Sequence, residues 1–244
     1  MFMKNFILFF SILLISQSCF ANTLYDSATN SPIGNAKVTL PKYNYSTYTD
    51  ANGNFDLGDI KDTTIMSVQK DGYRPFSLTV NNDTIAARPL VVGIQKSDVS
   101  DIVIETGMMH LGDDNYSSSS ANAGYFRLRS AGPVYTKSFK MGSQSGENYL
   151  VIGSIVGIDT LMARTMGQNR IINSYASPPE VYFNGVKISE IQLNGDNQKI
   201  KLPNRLIKPN QLNEITIRTG RNLMQRAYID YDDIEIANIS VLSE

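Results

Sequence analysis

The stretch "YSTYTDANGNFDLGDI", residues 45–60, alternates polar and apolar side chains on both sides of an Asn-Gly pair. Alternation with a period of two is typical of a half-buried β-strand. Asn-Gly suits a tight type I′ turn, in which both central residues need positive φ. Asp50 can accept hydrogen bonds from the turn amides, and Phe55 then enters the core. The stretch therefore predicts a strand, a tight turn and a second strand.

A calcium loop is the alternative interpretation of the same residues, because Asp50, Asn52 and Asn54 alternate as they do in an EF-hand. That loop needs glycine at its sixth position for a sharp bend. Phe55 stands there instead. The turn is therefore the interpretation that the sequence favours.

The pattern of short alternating runs continues to the C-terminus, and turn signals such as Asp71-Gly72, Asn184-Gly185 and Asn194-Gly195 separate the runs. Helical periodicity is almost absent. Many short strands with regular turns predict an all-β sandwich or barrel. Strand candidates in the second half include "GYFRLRS" at 124–130 and "DDIEIANISVL" at 232–242.

Three motifs in the first part of the chain, "SPIGNAKVTL" (31–40), "TDANGNFDL" (49–57) and "KDGYRP" (70–75), resemble the carboxypeptidase regulatory-like domain. The resemblance implies a small prealbumin-like β-sandwich of about seven strands over residues 22–97. Such domains are structural and interaction modules without catalytic residues. The zinc site of metallocarboxypeptidases needs two histidines, and this chain has one. The resemblance therefore implies no peptidase activity.

The stretch "EVYFNGVKISEIQLNGDNQKIKLPNRLIKPNQLNEITIRTG", residues 180–220, resembles the galactose-binding-like jelly-roll domain. The resemblance implies two packed antiparallel sheets over residues 98–244. Many such domains bind carbohydrate and many do not, so the ligand stays open. The polar segment at 95–101 is the expected linker, and its shortness predicts that the two domains sit close together.

Residues 1–21 have the features of a secretory signal peptide: Lys4, an apolar run at 6–15, and small residues before a cleavage site after Ala21. A retained N-terminal anchor and lipidation of Cys19 are the alternatives. We expect export to the periplasm, the cell surface or the medium. The mature chain then has no cysteine, and no other segment reaches the ~18 apolar residues of a transmembrane helix.

Composition excludes several classes of function. Lys and Arg together number 22 against 23 Asp and Glu, which gives a net charge of -1 and predicts no binding to nucleic acid. A Ser-His-Asp triad could use only His110, and the nearest sequence to a nucleophile elbow, "GSQSG", is centred on Gln144. The sequence therefore predicts a non-catalytic protein. A glycoside hydrolase that uses two carboxylates, or an esterase, is the alternative.

Two acidic pairs lie near the ends of the second domain and could hold a structural calcium ion: Asp113, Asp114, Asp232 and Asp233. The first and last strands of a jelly roll commonly lie side by side, so these carboxylates could converge. Turn capping by the same aspartates is the alternative. His110 stays outside this site, because calcium prefers oxygen ligands. We expect a loop histidine of structural importance only.

In "GYFRLRS", alternation places Phe126 and Leu128 on one face, and Tyr125, Arg127 and Arg129 on the other. A tyrosine with two arginines suits sugar binding, whereas an ordinary solvated face is the alternative. We expect an exported binding protein that recognises carbohydrate or envelope polysaccharide through the jelly roll. The alternative function is an adaptor whose sandwich domains bind protein partners at the cell envelope.

Overall fold

The computed structural model describes residues 21–113, 126–142, 146–168 and 175–243, and its regular structure there is almost entirely β. The strands form two sandwiches, so the prediction of an all-β fold is confirmed. The predicted signal peptide lies outside the described residues except for Ala21. Within the described ranges, the helices are too short to cross a membrane.

The first sandwich contains seven strands within residues 21–97, all of which the structure describes. One sheet has the strand order β4-β1-β7 and the other has the order β3-β2-β5-β6. Strands β1 and β7 are parallel, whereas the other pairs are antiparallel. The elements are β1 (Asn22–Asp26), β2 (Lys37–Leu40), β3 (Tyr45–Tyr48), β4 (Asn54–Phe55), β5 (Thr64–Gln69), β6 (Phe76–Val80), α1 (Asn82–Ala87) and β7 (Val91–Ile94), with a 3-10 helix at Pro41–Tyr43.

A strand, a tight turn and a second strand form over residues 45–60 as predicted. The predicted type I′ geometry is wrong, because Gly53 has a positive φ and Asn52 does not. Asp50 Oδ1 accepts hydrogen bonds from the amides of Asn52 and Asn54, each at 2.8 Å. Gly53 has a φ of 76°, and Phe55 is buried in the core. The two strands belong to different sheets, because β3 pairs with β2 and β4 pairs with β1. The turn therefore carries the chain from one layer of the sandwich to the other.

The second sandwich has two four-stranded antiparallel sheets among the described residues, with the orders β13-β10-β15-β8 and β12-β11-β14-β9. Eight strands in two sheets is the layout of a jelly roll. The elements are β8 (Ile102–Leu111), β9 (Val134–Lys140), β10 (Asn148–Val156), α2 (Leu161–Thr165), β11 (Glu180–Phe183), β12 (Val186–Glu190), β13 (Gly195–Leu202), β14 (Leu212–Arg218) and β15 (Ile234–Ser243), with a 3-10 helix at Asn204–Leu206.

Strands β8 and β15, the first and last of this sandwich, lie side by side as expected. Ile234 pairs with Leu111, and Glu235 pairs with His110. Ile234 and Ile236 both point into the core between the two sheets. Because successive side chains of a strand point to opposite faces, Glu235 lies on the face turned away from that core.

That face is covered by the first sandwich. Residues 64–68 of β5 are all buried, which an antiparallel strand shows only when both of its faces are covered. Asn238 Nδ2 donates to Ser67 Oγ at 3.3 Å across the interface. A Cβ atom on Gly153 would lie 2.4 Å from Ser77 Oγ, so the two sheets approach closely there. Each sandwich therefore buries part of one sheet face of the other sandwich.

Two polar contacts flank this packing. Asp196 Oδ1 accepts from the amide and the hydroxyl of Thr79, at 2.9 and 2.8 Å, and from Ser154 Oγ at 2.6 Å. Arg74 forms an ion pair with Asp101, with 2.7 Å between Nε and Oδ2. These contacts join the two sandwiches at the sides of their interface.

Candidate functional site

A cleft of about 740 Å³ opens where the two sandwiches meet. Cavities of roughly 300–1,000 Å³ are the usual size of ligand sites in proteins. We call it the interdomain cleft, and its lining residues are Lys42, Lys61, Asp62, Thr63, Thr79, Asn81, Asn82 and Asp83 from the first sandwich, and Phe126, Val156, Gly157, Ile158, Asp159, Gly167, Gln168, Asn194, Gly195 and Glu235 from the second.

One wall of the cleft contains the side-chain amides of Gln168 and Asn194, which are held by hydrogen bonds to backbone groups. The Asn194 amide N–H donates to Gln168 Oε1 at 2.9 Å, and Gln168 Nε2 donates to the Asn194 carbonyl at 3.1 Å. Asn194 Oδ1 also accepts from the Ile158 amide at 2.7 Å. These bonds tie the end of α2 to the turn before β13, so this wall is held in place before a ligand arrives.

Lys42 lies at the base of the cleft, on the 3-10 helix of the first sandwich, and only 5% of its surface is exposed. Its Nζ donates to the Thr63 carbonyl at 3.1 Å and lies 3.7 Å from Asp62 Oδ2. Burial lowers the pKa of Lys42, whereas the charges of Asp62 and Glu235 oppose that shift. The positive charge of Arg127 also lowers the pKa of Lys42.

Glu235 projects from β15 towards the same base and is 1% exposed. Its Oε1 atom has no hydrogen-bond partner within the described part of the chain. Burial raises the pKa of Glu235 to about 7, although the positive charges of Lys42 and His110 act against that rise. Sequence reasoning missed this residue, because a charged side chain at an outward strand position normally faces water.

His110 lies on β8, where it pairs with Glu235 of β15, and only 1% of its surface is exposed. Its Nδ1 is 2.8 Å from the Leu128 carbonyl, and its Nε2 is 2.8 Å from Asp233 Oδ1. Both partners are acceptors, so the geometry favours an imidazolium that donates from both nitrogens. Burial lowers the pKa of His110, but the hydrogen bonds to Asp233 and Leu128 outweigh it, and the pKa lies above its ordinary value.

The prediction that His110 belongs to a loop is wrong. The residue is the penultimate residue of strand β8, packs at 4.8 Å between ring centroids against Phe126, and pairs with Asp233. The chain approaches this pair so closely that a Cβ atom on Gly112 would lie 1.8 Å from Asp233 Oδ1. Because His110 and Asp233 are 123 positions apart, no local pattern could reveal the pair.

The acidic residues chosen from the sequence have separate partners. Asp113 Oδ1 accepts from the Tyr231 amide at 3.1 Å, whereas Asp233 binds His110. Asp232 Oδ2 accepts from the Asp159 amide at 3.1 Å. Burial, together with the charge of Asp159, raises the pKa of Asp232 well above its ordinary value.

Asp114 lies outside the described residues. Across the part of the chain that the structure describes, no three His, Cys, Asp or Glu residues are grouped so that they could hold a metal ion. The calcium site therefore stays a prediction.

Of the residues chosen for sugar binding, Tyr125 lies outside the described residues, and Arg127 and Arg129 are both exposed. Phe126 is buried and packs against His110. The prediction of a strand here is wrong, because residues 126–129 have no regular structure. The positive charge of Arg127 lowers the pKa of Lys42, which lines the cleft. Arg129 is not one of the residues that line the cleft.

Comparison with known proteins gives no family. No family model and no curated protein matches the sequence. Among solved structures, the chain is similar to the GH31 alpha-xylosidase from Xanthomonas citri, with 9% identity and a TM-score of 0.15. The match covers 82% of this chain and 30% of the enzyme. At that TM-score the likeness supports no conclusion about fold or activity.

Proposed function

We propose that this chain is an exported, non-catalytic protein that binds carbohydrate of the cell envelope in the interdomain cleft. The observation that carries the proposal is the lining of a cavity of about 740 Å³ with amide, hydroxyl and carboxyl groups from both sandwiches. The proposed site therefore includes the first sandwich as well as the jelly-roll unit.

The chemistry of the lining suits sugar hydroxyls. Asparagine and glutamine side chains both donate and accept, as hydroxyl groups do. The Gln168 side chain is already oriented by the backbone of Asn194, and the Asn194 side chain by the backbone of Ile158. Groups that are held in place before binding lose little freedom when a ligand arrives, which favours affinity.

A glycan array tests this function with the exported chain and two variants. Asn82 is exposed and lines the cleft, so Asn82→Trp should obstruct it. Gln211 is exposed and does not line the cleft, so Gln211→Trp is the matched control. We expect saturable binding to neutral glycans that Asn82→Trp abolishes and Gln211→Trp retains. An absence of glycan binding by the wild type, or equal binding by both variants, would overturn the proposal.

A protein-binding adaptor is the second candidate, and one observation favours it. Helix α2 and the segment 223–229 are brought together by bridges from Ala176 to Thr160 and to Asn222. Both segments carry large apolar side chains that are about half or more exposed: Leu161, Met162, Met166, Leu223, Met224, Tyr228 and Ile229. Exposed apolar side chains close together are typical of protein contacts. Under this candidate, Met162→Lys should abolish capture of a partner in cross-linking, whereas Asn82→Trp should not.

A further inference from the structure

Glu235 combines features that point to a ligand. It lines the interdomain cleft and is 1% exposed. Its Oε1 atom has no hydrogen-bond partner among the described residues. A buried carboxyl oxygen without a partner is unfavourable, so its presence in a folded protein calls for an explanation.

The position of Glu235 is well defined by the fold. Strand β15 is an inner strand of its sheet, between β10 and β8. The flanking Ile234 and Ile236 are fully buried in the core, which fixes the backbone of Glu235. Functional groups on packed strands are placed more precisely than groups on loops. Such a backbone holds the Cα atom of Glu235 in a constant position beside the cleft.

The charges around the base of the cleft are of mixed sign. Lys42 of the first sandwich lies within electrostatic reach of Glu235, and its own nearer partner is Asp62. His110 flanks Glu235 on the neighbouring strand. No single sign dominates these four groups, so a ligand without net charge fits this end of the cleft better than an ion does.

We propose that Glu235 anchors a neutral sugar in the interdomain cleft, with its carboxyl group accepting a hydrogen bond from a sugar hydroxyl. The inference rests on the carbohydrate binding proposed above and names the group that recognises the sugar. Because the carboxyl is enclosed, contact requires a change of its rotamer. Ligand binding commonly brings side-chain changes of this kind.

Affinity measurements with the exported chain test the anchor. The probes are neutral hexose and N-acetylhexosamine trisaccharides, each compared with analogues that lack one hydroxyl. Glu235→Gln removes the charge and keeps the shape. Glu214→Gln is the control, because Glu214 is exposed and lies outside the cleft lining. At about pH 8, where the Glu235 carboxyl is mostly ionised, we expect Glu235→Gln to weaken binding about tenfold, since a hydrogen bond to a charged group is replaced by one to a neutral group.

The deoxy analogues separate direct contact from a structural effect. If Glu235 accepts from one hydroxyl, removal of that hydroxyl should weaken binding to the wild type more than it weakens binding to Glu235→Gln. Equal affinities of wild type and variant, or equal losses for every analogue in both proteins, would overturn the anchor and leave the proposed function standing. Failure of the wild type to bind any trisaccharide would overturn both.

Discussion

Replacement of Glu235 by glutamine should stabilise the protein above neutral pH. Burial raises the pKa of Glu235 from an ordinary value of 4.5 to about 7. A carboxyl whose pKa is raised by folding binds its proton more tightly in the native state, so the wild type loses stability as the pH rises between these two values. Glutamine has no charge to bury and avoids that loss.

The size of the effect follows from the same two values. The difference between 4.5 and about 7, at about 1.36 kcal/mol per pH unit, amounts to about 3 kcal/mol. We therefore expect Glu235→Gln to be about 3 kcal/mol more stable than the wild type at about pH 8, and less than about 1 kcal/mol more stable at about pH 5. Lys42 and His110 are present in both proteins, so the comparison isolates Glu235.

Urea unfolding at a series of pH values measures this difference. Glu214→Gln serves as the control, because Glu214 is exposed, and it should match the wild type throughout. A Glu235→Gln protein that is less stable than the wild type at about pH 8 would contradict this expectation. That result would mean that attraction to Lys42 and His110 outweighs the cost of burying the carboxylate.

Two further predictions concern the acidic end of the second sandwich. His110→Ala should destabilise the protein by about 3–5 kcal/mol in urea unfolding at about pH 6, because it leaves the Asp233 carboxylate buried without its partner. Because the pKa of His110 is raised, this loss should shrink as the pH rises through that value, and a pH-independent loss would contradict the ion pair. If calcium binds the acidic pairs, thermal melts should shift upward in millimolar calcium relative to EDTA. An Asp233→Ala protein with an undiminished shift would remove Asp233 from that site.

Local patterns in the sequence predicted the all-β class, although the strand at 124–130 does not form and Asn52, Asp71 and Asn194 lack the positive φ of a type I′ turn. At Asn184-Gly185 both residues have positive φ, 49° and 81°, as the predicted type I′ turn requires. The hydrogen bonds of Asp50 and the burial of Phe55 also follow from residues within a few positions of one another. Such features depend on backbone geometry and on the alternation of side chains, which neighbouring residues determine.

The candidate site could not be found in this way, because it depends on contacts between distant parts of the chain. Glu235 sits at an outward strand position, and only the packing of the first sandwich turns that position into the base of a cleft. The residues next to Lys42 in the sequence do not indicate that it is buried. Its burial depends on a distant segment, in which the Thr63 carbonyl accepts a hydrogen bond from Lys42 Nζ. Arg127 was chosen from a predicted strand that does not form, and it still lies near the cleft.

The proposed glycan site between the two sandwiches is tested most directly by mapping where a bound glycan contacts the protein. Backbone amide resonances of the exported chain would be followed by NMR while the best ligand from the array is added. We expect the largest shifts on both sandwiches, at Asn82 of the first and at Gln168, Asn194 and Glu235 of the second. Shifts confined to one sandwich, such as a set centred on Arg129, would contradict a site built between the two.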